Sequence, residues 1–86
     1  MTIAQQSELE LRLRQLVLET SSIEAEELSA DTQLLEGVVD SLGVAELFQF
    51  AEEEIGRPLR DEEMTRAIFG TIGAIAAFVR GEAGVG

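Results

Sequence analysis

Apolar residues recur at helical spacing in several stretches of this chain, and the pattern lapses between them. Leu9, Leu13, Leu16 and Val17 share one face of a helix predicted over 7–19. Ser7 would cap it, with Glu8 and Glu10 in the first turn, where the helix dipole favours acids. Leu11 and Leu18 fall off the stripe. The alternation of Leu9, Leu11 and Leu13 could suggest a strand, but Leu16, Val17 and Glu19 continue the helical period. The period then fails for about 20 residues up to Asp40, a long stretch for a structureless loop in a compact domain. Ile23, Leu28, Leu34, Leu35, Val38 and Val39 can anchor it. Short turns are expected at Ala25 to Leu28 and near Asp31 to Leu35, the second capped by Asp31 or Thr32. Gly37 is free to take positive φ.

The clearest pattern runs from Ser41 to Ile55. Val44, Leu47, Phe48, Ala51 and Ile55 line one face, and Leu42, Glu46, Gln49 and Glu53 stand on the other. Gly56 suits the position just past the helix, and Pro58 prevents continuation. Gly43 in the first turn costs up to about 1 kcal/mol relative to Ala, and its missing side chain is expected to leave the surface beside Ser41 open. Asp61 is predicted to cap a short helix with Glu62 and Glu63 in its first turn and Met64, Ala67 and Ile68 facing inward. Phe69-Gly70 breaks that helix. Thr71 caps a last one over Ile72 to Arg80, striped by Ile72, Ile75, Ala76 and Val79 and stopped by Gly81. Glu82 to Gly86 reads as a frayed tail. The expectation is an all-α fold: a small four-helix bundle of three longer helices and one short one, with a long loop between the first two. It forms a single domain over 1–86 with an ordered core of about 7–80.

Composition narrows the function. The chain carries 17 acidic and 6 basic residues, a formal net charge of −11. That opposes nucleic-acid binding, which needs a basic face, and favours partners with basic patches. There is no Cys, His, Lys, Tyr or Trp, and all six basic residues are Arg. The usual general base and the thiol and amine nucleophiles are therefore missing, and no catalytic activity is expected. Adjacent carboxylates such as Asp61 and Glu62 do not face one another on a helix. No segment has the spacing of a calcium loop, and no metal site is expected. No apolar run is long enough to span a membrane, and Met1 to Gln6 lacks the features of a signal peptide. A cytoplasmic monomer is the default.

Gly37-Val38-Val39-Asp40-Ser41-Leu42, followed by an acidic helix, resembles the attachment site of acyl, aminoacyl and peptidyl carrier proteins. The likeness extends over nearly the whole chain. It takes in Leu34 and Leu35 before the Asp-Ser-Leu, the Glu52-Glu53-Glu54-Ile55-Gly56 helix end, Asp61-Glu62-Glu63 and Thr71-Ile72. The resemblance implies a non-catalytic carrier. Ser41 would be the attachment residue for 4'-phosphopantetheine, delivered from coenzyme A by a phosphopantetheinyl transferase that recognises Asp40. The arm's thiol would hold acyl groups as thioesters. Leu42, Glu46, Gln49 and Glu53 would meet loading and condensing enzymes of fatty-acid, polyketide or related biosynthesis, through basic docking patches on those enzymes. A phosphodiester on Ser41 would lie at a helix N-terminus, where an anion is favoured.

Two plainer readings stand beside this one. Ser41 could be an ordinary helix cap, and the glutamates a solvated face. The whole chain could then be an unmodified acidic interaction module. Within the carrier reading, Gly37, Gly43 and Gln49 depart from the fatty-acid pattern. The Gly-x-x-Asp-Ser-Leu-Gly form is closer to D-alanyl or aminoacyl carriers loaded by an adenylating ligase, so acyl and aminoacyl cargo both stand.

Overall fold

The computed structural model describes the backbone of residues 2–82 and the side chains of residues 8–82. Four α-helices follow in order: α1 Thr2–Thr20, α2 Ser41–Ile55, α3 Arg66–Phe69 and α4 Ile72–Glu82. Single turns of 3-10 helix stand at Ala25–Glu27 and Asp61–Glu63, and there is no strand among the described residues. The chain is the expected small helical bundle, with α4 packed against each of the other three helices.

The stripes of α1, α2 and α4 meet in one core. Leu13 and Val17 of α1, Leu47 and Ala51 of α2, and Ile75 and Ala76 of α4 are almost wholly buried. Each Leu, Ile or Val so placed contributes about 1.5–3 kcal/mol of burial. Leu9 joins them, Leu16 and Leu18 are half-buried, and Leu11, off the stripe, is 59% exposed. Helix α1 begins at Thr2, so Ser7 lies within it and does not mark its start. At its other end the Thr20 and Ser21 hydroxyls donate back to the carbonyls of Leu16 and Val17, at 2.9 and 2.8 Å.

The long connection is tied down by backbone bonds to the far side of the bundle. The predicted turn at Ala25 forms, and Arg14 of α1 donates to the carbonyls of Ala25 and Leu28. No helix forms from Asp31 to Leu35. The Thr32 hydroxyl instead accepts from Ser29 N–H at 2.8 Å and turns back toward Glu27. Leu34 sends its N–H to Gly70 O at 2.8 Å, and Ala30 O receives the N–H of Gly73 at 3.0 Å. A backbone committed to other elements cannot also make helical bonds. Gly37 has φ of 102° and Gly56 has φ of 79°, the left-handed region that glycine enters without a Cβ penalty.

The Asp61 segment departs from expectation. Asp61 starts a 3-10 turn, and the short helix begins only after Thr65, whose hydroxyl accepts from Ile68 N–H. The interruption shifts the inward register. Met64 is 37% exposed and Ala67 is exposed, while Phe69, expected as a breaker, is buried at the centre. The Phe69 ring meets Phe48 of α2 edge-on at 4.9 Å and Phe78 of α4 at 6.0 Å.

Glu63 is turned inward, 8% exposed, and held by Arg57 through two bonds of 3.0 and 2.8 Å and by Arg60 N–H at 2.8 Å. The Arg57 hydrogen bonds, then the Arg60 N–H, pull its carboxyl down to about 2. Arg57 also reaches Glu82 at 2.6 Å. That contact lies beyond Gly81, which was expected to stop α4 and instead lies inside it. Of the predicted tail, 83–86 lie outside the described residues.

Candidate functional site

Ser41 stands at the first residue of α2, and its neighbours decide what its hydroxyl is free to do. Asp40 is the N-cap, in extended backbone, and its Oδ1 accepts from Gly43 N–H at 3.0 Å. Its carbonyl accepts from Val44 N–H at 2.9 Å. The capping role that either residue could fill thus belongs to Asp40. Ser41 is exposed, and among the described residues its hydroxyl has no hydrogen-bond partner. The N–H groups of Ser41 and Leu42 are likewise left over at the positive end of the helix, a suitable setting for a phosphodiester oxygen. The exposed Asp40 carboxylate stands next door, bonded to Gly43 N–H.

The site is held from behind. Val39, buried beside Asp40, donates its N–H to Leu34 O at 3.0 Å. Leu34 is fully buried and tied to Gly70. Glu36, two residues further on, pairs with Arg66 of α3. Asp40 also borders an open groove of about 640 Å³ between the end of α1 and the connection, walled by Thr20, Ser21, Ser22 and Val38.

Gly43 differs from expectation. It does not leave the surface open: it is buried with Leu47 and Ala51, one turn apart on the inner face of α2. The regular spacing of Gly43, Leu47 and Ala51 was the signal in the sequence that it faces inward.

The predicted contact residues fall into two groups. Leu42 is 68% exposed, the most exposed large apolar side chain among the described residues, right beside Ser41. Glu46, Gln49 and Glu53 line a shallow concavity of about 160 Å³ whose floor is Leu16 of α1 and Phe50. The acids of α2 also sort by use. Glu52 accepts from Leu59 N–H at 2.9 Å, and Glu54 pairs with Arg12 at 2.7 Å. The Arg12 guanidinium lies over the Phe50 ring, 5.6 Å from its centre. The Glu54 hydrogen bond raises the pKa of Arg12 above its ordinary value. Glu46 and Glu53 have no ion-pair partner among the described residues, and Glu53 only accepts from Gln49 at 3.4 Å. Leu16 and Phe50 escaped the sequence reading as part of this surface, because it is made by two helices meeting.

No family model matches this chain, and no curated protein matches it at a significant level. Among the described residues no helix is long and apolar enough to cross a membrane.

Proposed function

We propose that this chain is a carrier protein with no chemistry of its own, modified by phosphopantetheine at Ser41. The observation that carries the reading is the division of labour at the head of α2. Asp40 caps the helix, and the exposed Ser41 hydroxyl is left without a structural task. The likeness of Gly37 to Leu42 and of the acidic helix to carrier proteins supports the same reading. The arm would supply the thiol that this sequence lacks, and with it the capacity to hold an acyl or aminoacyl group as a thioester. On attachment, the Ser41 oxygen forms a phosphodiester and its proton leaves to a base or to water. The pyrophosphate bond of coenzyme A breaks, and the adenosine bisphosphate portion departs. The residues of this chain hold the serine outward, offer the free N–H groups of Ser41 and Leu42 nearby, and present Leu42, Glu46, Gln49 and Glu53 to partners with basic patches.

The test is direct. Purified protein, incubated with coenzyme A and a broad-specificity phosphopantetheinyl transferase, gains the mass of one arm, and the Ser41→Ala variant gains none. Wild-type protein that gains no mass, or a variant that gains as much, overturns the reading in favour of an unmodified interaction module. Offering the modified protein to a fatty-acyl ligase and to an amino-acid adenylating ligase then separates the two classes of cargo.

A further inference from the structure

The first turn of α2 is seated against the residue just before its cap, and one missing atom makes that possible. A Cβ added at Gly43 would stand 2.9 Å from Val39 Cβ, closer than side chains approach, with Val39 Cγ1 at 3.4 Å and Thr20 Oγ1 at 3.5 Å. The atom in the way is the root of a short, stiff, branched side chain and cannot swing aside. Nor can the backbone of Val39 retreat easily. Its N–H is bonded to Leu34 O, and Leu34 is buried and bonded in turn to Gly70. A side chain at position 43 must therefore lift the start of α2. Ser41 lies two residues earlier in that same turn, and the bond from Gly43 N–H to Asp40 Oδ1 spans it.

We propose that Gly43 is a positioning residue for Ser41. Its bare Cα lets the first turn of α2 close onto Val39, and that seating, together with the Asp40 cap, sets where the serine hydroxyl is offered. The proposal rests on the carrier reading above. It also carries a sign that helix propensity alone gives backwards. In an unobstructed helix Ala is favoured over Gly, so Gly43→Ala would raise the melting temperature if the site were open. Against Val39 it lowers it.

The experiment uses the full chain as wild type, Gly43→Ala, Val39→Gly and the double variant, the last moving the obstructing carbon from one side of the contact to the other. Initial rates of phosphopantetheine transfer are read by intact mass, and melting by circular dichroism. Gly43→Ala is expected to melt below wild type and to be modified roughly tenfold to a hundredfold more slowly, as displacement of a reacting group by about an ångström costs. In the Val39→Gly background the same substitution changes the rate by no more than about twofold, because the obstructing Cβ is gone. A Gly43→Ala protein that melts at or above wild type, or is modified at the wild-type rate, overturns the proposal. An equal loss of rate in both backgrounds also overturns it, since Val39 would then be irrelevant. Should Gly43→Ala fail to fold, the Val39→Gly pair decides: a rate difference well beyond twofold between its members rejects the seating. Wild-type protein that gains no arm rejects the carrier reading itself, an outcome distinct from all of these.

Discussion

Asp40 and Ser41 are both good helix caps by residue type, and the backbone gives the position to Asp40, at φ −96° and ψ −169°. This separates two roles for the acid, one in holding the helix and one in meeting a transferase. Asp40→Ala removes the acceptor for Gly43 N–H and is expected to cost about 1 kcal/mol of stability, read from urea unfolding. Asp40→Asn keeps an acceptor in place and should unfold close to wild type. If the negative charge matters to the transferase, as the resemblance implies, Asp40→Asn slows modification without that loss of stability. An Asn variant modified at the wild-type rate would reduce Asp40 to a cap.

Helix α3 has only four residues, too short to be stable alone, and tertiary packing holds it. Phe69 fills the space between Phe48 and Phe78, and Gly70, next along, receives the N–H of Leu34. The short helix therefore holds both the core and the connection that leads to Ser41. Phe69→Ala is expected to lose about 3–5 kcal/mol, a large share of the stability a small domain has to spare. Met64→Ala, five residues away and exposed, should stay within about 0.5 kcal/mol of wild type. Comparable midpoints for the two variants in chemical denaturation would contradict the central placement of Phe69.

Across the whole molecule, the Arg57 guanidinium joins the loop after α2 to Glu63 and to Glu82 at the end of α4. Its hydrogen bonds to Glu63 and then Glu82 raise its pKa further, so it stays charged throughout. Glu63 is lowered from 4.5 to about 2. The unfolded chain therefore takes up this proton first as pH falls. The stabilisation from Glu63 is complete above about 4.5 and is lost progressively between about 4.5 and about 2. Protonation of the other acids also relieves the repulsion of a chain with net charge −11, so the contribution is read by difference. Wild type should lose its urea-midpoint advantage over Glu63→Gln across that window, and parallel pH profiles would show that the contact carries no such linkage.

The sequence by itself determined the fold class, the span of α2 and the place of Ser41 at its head. Each follows from short-range physics: the 3.6-residue period of Val44, Leu47, Phe48, Ala51 and Ile55, the preference of Asp and Ser for helix starts, and the left-handed turn open to Gly56. What it left open was settled by contacts that the helical period does not show. Phe69 reads as a breaker until two other helices supply rings for it to meet. Glu63 reads as a first-turn acid of a short helix until Arg57 folds over it from across Pro58. Gly43 reads as a gap beside the serine until the connection brings Val39 against it. Which of Asp40 and Ser41 caps α2, and which of them stands free, was likewise a tertiary decision. It depends on where the connection delivers the backbone, and that is fixed by Leu34 and Ala30 bonding to residues about 40 positions further on.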